Sequence, residues 1–280
     1  MRELKQKELG EPLIFHAGGS AAIMRVIILS SGGKDSCYAL WWAYLKGWDI
    51  AGIVTVQIRG NDSLMFQLPA TLVSGLQAAS AEIPWTTITV SGTPEIEMQE
   101  LQDSLQPLID GQNVVSSEWS EEEWGAFWPD EWPRPNLTRF SSNGKIDAII
   151  TGALRSDYQK TRIERMAEKL GVKSFTPLWH HDPYRHMSDL VEHDFELLFT
   201  SVSADGLDEQ WIGRTLDSDS LAKLNDLAKK HRFSIDGEGG EFETTVVNAP
   251  WMNRRISIHG DTIWSGQHGF YQINTAKLVE

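Results

Sequence analysis

Short apolar runs alternate with longer amphipathic segments along the first two thirds of the chain, and this alternation predicts strands and helices in turn. The predicted strands are 26–29, 50–56, 86–90, 148–151 and 173–175. The first predicted helix ends near Gly47, and the second begins at Pro69. Two further predicted helices cover 95–108 and 158–170. Strands that alternate with helices are typical of a parallel sheet covered on both faces, so we expect a doubly wound α/β domain.

After about Trp179 the pattern changes. The predicted elements there are a strand at 196–203, a helix at 221–231, and strands at 243–247, 255–259 and 269–273. Turns are expected at Asn253, Gly260 and Gly266. This succession favours a smaller C-terminal α+β domain over 191–280, preceded by the doubly wound domain over 24–190.

Residues 1–23 carry scattered charges and lack the apolar stretch of ~7–15 residues that marks a signal peptide. We expect a flexible extension here, with Met24 as the true start of the protein. No apolar run approaches the ~20 residues of a membrane-spanning helix, so no membrane partner is expected. Cys37 is the single cysteine, which excludes an internal disulfide or a CxxC zinc site and points to a reducing cytoplasm.

The net charge of the chain bears on which partners it can bind. The 280 residues include 25 Lys and Arg against 39 Asp and Glu, a formal charge of −14. Because binding to phosphate backbones draws on Lys and Arg, general nucleic-acid binding is disfavoured. With 41% apolar and 23% charged residues, the composition is that of a globular protein.

An insert at about 112–145 interrupts the first domain with a concentration of tryptophan and acid. Its tryptophans are Trp119, Trp124, Trp128 and Trp132. Ser120 and Glu123 have the spacing of a capping box, which predicts a short helix that Pro129 ends. We favour an excursion that pins its tryptophans onto the domain surface. The alternative is a lid or a partner-docking element, since tryptophan is an effective interface anchor.

The turn between the first strand and the first helix carries most of the functional information. It reads Ser31, Gly32, Gly33, Lys34, Asp35 and Ser36. Glycines let backbone N–H groups approach an anion, and the helix N-terminus adds free donors, so this turn suits phosphate. Asp35 beside phosphate would repel it unless it held Mg²⁺. Walker A is excluded because Ile28 stands where its first glycine belongs. An ordinary glycine-rich turn is the non-functional alternative.

This turn resembles the PP-loop of the ATP pyrophosphatases, and further segments narrow the resemblance to the diphthine–ammonia ligase family. Those segments are Met65-Phe66 with Pro69, Thr151–Leu154, Asp157–Gln159, Arg162–Arg165, Phe175 with Pro177–Trp179, Asp205–Asp208, Trp211 with Gly213-Arg214, and Gly237–Thr244. The similarity runs from about Met24 to about Gly269, and the tryptophan-rich insert departs from it. The resemblance implies an adenine nucleotide alpha hydrolase-like PP-loop domain that binds ATP, followed by a substrate-binding domain.

The resemblance also implies an AMP-forming amide ligase that uses ATP and Mg²⁺. In that family, diphthine on translation elongation factor two attacks the α-phosphate of ATP through its carboxylate and releases pyrophosphate. Ammonia then displaces AMP from the acyl-adenylate. No glutaminase module is visible, so we expect free ammonium as the nitrogen source. A homodimer is compatible with the sequence, which does not determine the oligomeric state.

Candidate site residues follow from the turn and the resemblance together. The predicted nucleotide contacts are Ser31, Gly32, Gly33, Lys34, Asp35, Ser36, Gly152, Gln159 and Arg162, with Asp35 as the metal ligand. The predicted substrate contacts are Tyr158, Glu238, Gly239, Gly240, Glu241 and Glu243. The predicted catalytic residues are Lys34, Asp35, Glu238 and Glu241. The carboxylates of the turn at 237–243 could bind ammonium and accept its proton, or face the trimethylammonium of diphthine. The alternatives are a solvated helix face around Arg162 and an ordinary turn at 237–243.

Other features receive non-functional interpretations. His180, His181, Asp182 and His186 read as a loop with satisfied or exposed histidines rather than a metal cluster. Cys37 reads as a small buried residue rather than a nucleophile. Two other functions stay open: another PP-loop AMP-forming ligase or RNA-modifying enzyme, and a non-catalytic ATP-binding sensor.

Overall fold

The structure, a computed structural model, describes residues 23–58, 68–93, 96–112, 115–141 and 144–280. The expected extension, apart from Ile23, and the Met65-Phe66 segment lie outside the described residues.

The N-terminal elements are β1 (Arg25–Leu29), α1 (Lys34–Leu45), β2 (Asp49–Ile58), α2 (Leu68–Ala81), β3 (Trp85–Val90), α3 (Ile96–Ile109), α4 (Glu121–Phe127), β4 (Ala148–Ile150), α5 (Asp157–Lys169) and β5 (Lys173–Phe175). Each predicted strand and helix of this part is present.

Strands β1 to β5 form one parallel sheet in the order β3-β2-β1-β4-β5. The chain therefore runs outward from β1 in one direction and then returns to β4 on its other side. The doubly wound α/β fold is confirmed. In such sheets the loops after the two central strands diverge and leave a crevice at the carboxyl edge, which here lies between β1 and β4.

The C-terminal elements pack as a second, antiparallel sheet with helices. They are α6 (Pro183–Glu192), β6 (Glu196–Val202), a 3₁₀ turn (Glu209–Trp211), α7 (Ser218–His231), β7 (Phe242–Asn248), β8 (Arg255–Ser265) and β9 (His268–Val279). The sheet order is β7-β6-β9-β8. The predicted α+β character of this part is confirmed.

Two expectations for this part are wrong. Gly260 is not a turn but a bulge inside β8, where the pairing with β9 shifts register, and a Cβ there would lie 2.1 Å from the Gln272 carbonyl oxygen. The expected loop includes His180, His181 and Asp182 but not His186. His186 lies in helix α6, because Asp182 caps that helix through the Arg185 N–H and Pro183 occupies its first turn.

One hydrophobic core passes from the parallel sheet into the antiparallel sheet. It includes Leu40 of α1 and Leu76 of α2 on one side and Leu197 of β6 and Val246 of β7 on the other. A second core, on the opposite face of the parallel sheet, packs α3 and α5 against β1, β2 and β4. Strand β7 is thereby held against α1 and α2, beside the turn at 31–36, which we call the phosphate loop. The division of the chain at residue 190 stays a prediction.

The tryptophan-rich insert lies on the molecule rather than projecting from it. Ser120 and Glu123 form the predicted capping box at the start of α4. Trp124, Trp128 and Trp132 are all buried, and the indole N–H of Trp132 donates to the Asn274 carbonyl of β9 at 3.1 Å. The insert therefore attaches its aromatic side chains to both sheets, as the favoured interpretation predicts.

None of the helices within the described ranges is long and apolar enough to cross a membrane.

Candidate active site

A cavity of about 600 Å³ opens at the carboxyl edge of the parallel sheet. The phosphate loop, the segment after β4, and the first half of β7 line it. One part of its wall is apolar and consists of Leu29, Val56, Leu101 and Ile163. The volume and the mixed lining are those of a small-molecule site, at the place where doubly wound sheets bind ligands.

The phosphate loop ends in a helix N-terminus that is open to a ligand. Gly33 is the N-cap of α1, and within the described residues no side chain caps its N–H groups. Gly32 has a φ of +81°, and a Cβ there would meet the Ser74 backbone nitrogen at 3.3 Å, so glycine is required. The uncapped donors and the helix dipole favour an anion at this point.

Serine hydroxyls around the loop divide into two roles. Ser30 accepts from the Gly32 N–H at 3.1 Å and donates to the Ser36 hydroxyl at 3.0 Å. Ser36 in turn donates to the Gly33 carbonyl at 3.1 Å. These bonds fix the loop from within. Ser31 is exposed and lines the cavity, so its hydroxyl is the better placed of the two predicted serines to meet a phosphate.

The carbonyl of Gly32 accepts hydrogen bonds from both halves of the molecule. The buried amide of Gln77 in α2 donates to it at 2.9 Å, and the Val246 N–H of β7 donates at 3.0 Å. The Thr245 hydroxyl adds a third bond at 3.3 Å. The loop is therefore positioned by long-range contacts and not by its own sequence alone.

Asp35 is held between two partners at the cavity wall. Its Oδ2 lies 2.9 Å from the Lys34 ammonium, and its Oδ1 lies 2.8 Å from Nε2 of His186 in α6. Burial works against its charge, but the Lys34 charge and the His186 hydrogen bond together keep the pKa of Asp35 below its ordinary value. The carboxylate is thus ionised at neutral pH.

Gly152, two residues after the end of β4, packs closely against the phosphate loop. A Cβ at this position would lie 2.5 Å from the Asp35 carbonyl carbon and 2.5 Å from the Ser36 nitrogen. Since both neighbours are backbone atoms, they cannot move aside without distorting the first turn of α1. The predicted role of Gly152 in nucleotide binding therefore has a steric basis here, and the contact itself stays a prediction.

Glu238 adds an acidic group to the cavity that the phosphate loop lines. Its carboxylate accepts from the Arg155 N–H at 3.2 Å, and it lines the cavity. Burial is the main influence and raises the pKa of Glu238; the Arg155 hydrogen bond opposes this rise and the charge of Asp35 adds to it. A carboxyl with a raised pKa is suited to hold or exchange a proton.

The turn at 237–243 separates the carboxylates that the sequence predicts to cluster. Gly237 and Gly240 both have positive φ, at +72° and +83°, which confirms tight backbone geometry. The described lining of the cavity includes Glu238 and Glu243 but not Glu241. Glu241 instead accepts from the Ser234 N–H at 2.9 Å, so its carboxylate supports the turn.

The remaining turn residues, Gly239 and Gly240, are exposed. Their contact with substrate stays a prediction, as does a catalytic role for Glu241.

The predicted residues of α5 point in different directions. Gln159 lines the cavity. Arg162 instead lies 3.9 Å from Glu97 of α3 and stacks over the Tyr158 ring at 4.5 Å. Tyr158 is 61% exposed, which leaves it free to meet a large substrate. Of the predicted nucleotide contacts, Gly32 and Arg162 are the two that the described cavity wall does not include.

A metal ion would find its protein ligand in Asp35. Within the described residues no group of three His, Cys, Asp or Glu side chains is arranged to hold a metal. Mg²⁺ commonly takes only one or two carboxylates and completes its shell with water and phosphate oxygens. The single ionised carboxylate of Asp35 beside the uncapped helix fits this manner of binding.

Sequence reasoning missed residues that support the site from a distance. They are Gln77, His186 and the ion pair of Arg155 with the buried Asp236. The Asp182-Pro183 dipeptide is a helix-start signal that would have placed His186 inside a helix. For Gln77 and Asp236 the sequence contains no local signal.

Comparison with known proteins agrees with this architecture. Residues 24–124 match the model of the diphthamide synthase N-terminal domain, and residues 182–279 match that of the diphthamide synthase C-terminal domain. The chain belongs to the diphthamide synthase family. The two matches cover both the phosphate loop and the segment from α6 to β9, and the resemblance stated from the sequence is confirmed.

Curated relatives carry the name diphthine–ammonia ligase. The chain is 28% identical to that of Schizosaccharomyces pombe over 84% of its own length and 36% of the relative. It is 27% identical to the Rattus norvegicus protein over 84% of this chain and 83% of the relative. It is 25% identical to the Homo sapiens protein over 86% of this chain and 85% of the relative. The chain thus spans about a third of the S. pombe protein and most of each mammalian one.

Among solved structures, a chain described as a predicted subunit of a tRNA methyltransferase from Methanocaldococcus jannaschii aligns with 81% of this chain and 98% of its own. The TM-score of 0.34 and the identity of 16% are too low to establish a shared fold.

Proposed function

We propose that this protein amidates diphthine on translation elongation factor two, using ATP and ammonium and releasing AMP and pyrophosphate. Family membership over both parts of the chain supports the substrate. The observation that carries the chemistry is the uncapped N-terminus of α1, with Lys34 and Asp35 at its first turn, facing a cavity large enough for a nucleotide.

Lys34 and the N–H groups of α1 are suited to bind the β- and γ-phosphates, which leave together as pyrophosphate. These donors stabilise charge that grows on the leaving group as the substrate carboxylate bonds to the α-phosphorus. Asp35 would hold Mg²⁺, which supplies further neutralisation of phosphate charge. Little covalent participation of the protein is required, because such transfers depend mainly on positioning.

In the second step ammonia bonds to the acyl carbon, AMP departs with the bonding electrons, and one proton is lost. Ammonium must also lose a proton before it can attack. Glu238 lines the same cavity as the phosphate loop and has a raised pKa, so it is the described carboxylate best suited to accept such a proton. Tyr158 and Glu243 lie at exposed positions, where a protein substrate could reach them.

The test supplies diphthine-bearing elongation factor, ATP, Mg²⁺ and ammonium, each alone and together. We expect AMP, pyrophosphate and an amide on the elongation factor only when all are present. ADP as the product would refute the proposed phosphate chemistry. AMP formed with another carboxylate or with RNA would indicate a different PP-loop enzyme, and tight binding of ATP without cleavage would indicate a sensor.

A further inference from the structure

We infer that His186 is a positioning residue that fixes the Asp35 carboxylate for the metal–nucleotide complex. The inference rests on the proposed function of Asp35 as a metal ligand. His186 is fully buried, and its Nε2 lies 2.8 Å from Asp35 Oδ1. The two residues are 151 positions apart, so only the tertiary structure brings them together.

The direction of this hydrogen bond follows from chemistry. A carboxylate can only accept, so Nε2 of His186 carries the hydrogen and donates it. The other ring nitrogen, Nδ1, has no hydrogen-bond partner among the described residues. Among the described residues, the side-chain hydrogen bond of this buried imidazole is therefore made to Asp35 and not to a group of its own helix.

The imidazole is held in place by its surroundings. The ring of Tyr38 packs edge-on against it, with centroids 5.2 Å apart and an interplanar angle of 82°. The His186 backbone N–H donates to the Asp182 carbonyl at 2.9 Å, in the first turn of α6. Because the ring cannot swing away, it sets the orientation of the carboxylate that it contacts.

His186 keeps one oxygen of Asp35 away from the Lys34 ammonium. Lys34, the adjacent residue in the chain, binds Oδ2, while His186 binds Oδ1. Without His186, the carboxylate could rotate toward the Lys34 ammonium and form a bidentate pair with it. A metal ion would then have to displace a cation from both oxygens. Outer partners that orient metal ligands typically contribute 10- to 100-fold in metal affinity or activity.

The experiment compares His186→Leu, which removes the donor, with His186→Gln, whose amide can place an N–H near the Nε2 position. Calorimetry measures ATP affinity with Mg²⁺ and with the metal chelated, and thermal unfolding reports folding. His193→Gln is the control, since His193 also belongs to the α6 region but contacts Trp41 and the Asp189 carbonyl instead of Asp35.

We expect His186→Leu to lose about 10- to 100-fold in Mg²⁺-dependent ATP affinity, with metal-free affinity nearly unchanged. His186→Gln should recover most of the loss, and His193→Gln should match the wild type. Equal Mg²⁺-ATP affinity in His186→Leu and wild type would overturn the inference. So would equal loss in His186→Leu and His186→Gln, or wild-type affinity that does not depend on Mg²⁺.

If His186→Leu does not fold, a double-mutant comparison keeps the inference testable. His186→Phe keeps an aromatic ring beside Tyr38 but removes the donor. It should weaken Mg²⁺-ATP binding by itself and cause no further loss in an Asp35→Asn background, because the group that His186 positions is gone. Independent, additive losses would refute coupling. Amide formation is assayed separately, so a protein that binds Mg²⁺-ATP through this pair but forms no amide would refute the proposed function alone.

Discussion

The side-chain amide of Gln77 donates to the Gly32 carbonyl at 2.9 Å, and the same nitrogen donates to the Val246 carbonyl at 2.7 Å. One buried residue of α2 therefore joins the phosphate loop to β7, the strand beside it whose first half also lines the cavity. The Gln77 carbonyl oxygen accepts from the Cys37 thiol at 3.4 Å, so both ends of the amide are engaged.

This relationship predicts that Gln77→Glu weakens both folding and ATP binding. A carboxylate cannot donate to either carbonyl and places an unpaired charge at a site that is 1% exposed. We expect a loss of about 1–3 kcal/mol in the free energy of unfolding and weaker ATP binding. Urea unfolding and calorimetry measure the two effects. The exposed Gln99→Glu should change stability by less than about 0.5 kcal/mol, and an equal effect there would contradict the prediction.

Gly152→Ala is predicted to disrupt the phosphate loop. The added Cβ would lie 2.5 Å from backbone atoms of Asp35 and Ser36, so the first turn of α1 must shift. We expect destabilisation of about 1–3 kcal/mol and loss of ATP affinity. Gly125→Ala in α4 is the matched control because nothing lies within 4 Å of its new Cβ. It should be neutral or slightly stabilising, and a wild-type ATP affinity in Gly152→Ala would count against the steric argument.

Asp35→Ala is predicted to abolish turnover while the fold is preserved. The change removes the proposed metal ligand and one contact of Lys34, and the core behind α1 is unaffected. AMP release should fall by at least ~100-fold, the scale of losing one preorganised electrostatic group. Circular dichroism and thermal unfolding report the fold. The exposed Asp103→Ala should retain turnover; normal turnover in Asp35→Ala would remove the metal role.

Asp236 is predicted to make stability depend on acid pH. Burial opposes its ionisation, but hydrogen bonds from Arg155 and Ser234 hold the pKa of Asp236 below its ordinary value. An aspartate has a pKa of about 3.9 when unfolded. Its contribution is therefore complete above that value and is lost as pH falls through the lower folded pKa.

Urea unfolding from pH 7 down to about pH 3 checks this dependence on acid. Asp236→Asn should be less stable than the wild type at pH 7, and the difference should shrink as the pH falls. The exposed Asp226→Asn should follow the wild-type curve. A difference for Asp236→Asn that is constant across the range would show that its ionisation does not contribute.

Substitutions of Trp132 test whether the tryptophan-rich insert acts as a packing element or as a lid. Its side chain is 3% exposed and its indole N–H reaches the Asn274 carbonyl, so Trp132→Ala should destabilise by roughly 3–5 kcal/mol. Trp132→Phe keeps most of the packing and should lose about 1 kcal/mol. Neither change should alter ATP affinity at a temperature where both variants are folded. Reduced affinity in Trp132→Phe would instead favour the lid interpretation.

The fold and the phosphate loop could be predicted because their signals are local. The alternation of apolar runs and helices predicted the parallel sheet, and the contiguous run from Ser31 to Ser36 placed donors at one helix end. Gly260 was misread because a glycine in a turn and a glycine in a bulge look alike in sequence. Its bulge depends on the partner strand β9.

The orientation of side chains on α5 and at the 237–243 turn was harder to predict. Arg162 and Gln159 share a helix, yet Gln159 faces the cavity and Arg162 packs toward Glu97 of α3. In the sequence, Glu241 lies between Glu238 and Glu243, which both line the cavity. Its own carboxylate instead accepts a hydrogen bond from the Ser234 N–H. Which side of an element meets a ligand depends on its neighbours in space.

The sequence by itself therefore determined the alternating architecture, the family and the loop that can bind phosphate, since each arises from residues close together in the chain. The tertiary structure alone decided that His186 orients Asp35, that Gln77 joins the loop to β7, and that Glu238 lines the same cavity as both. Such contacts form only when distant segments pack against each other. Their hydrogen bonds are set by the fold as a whole, and no short pattern encodes them.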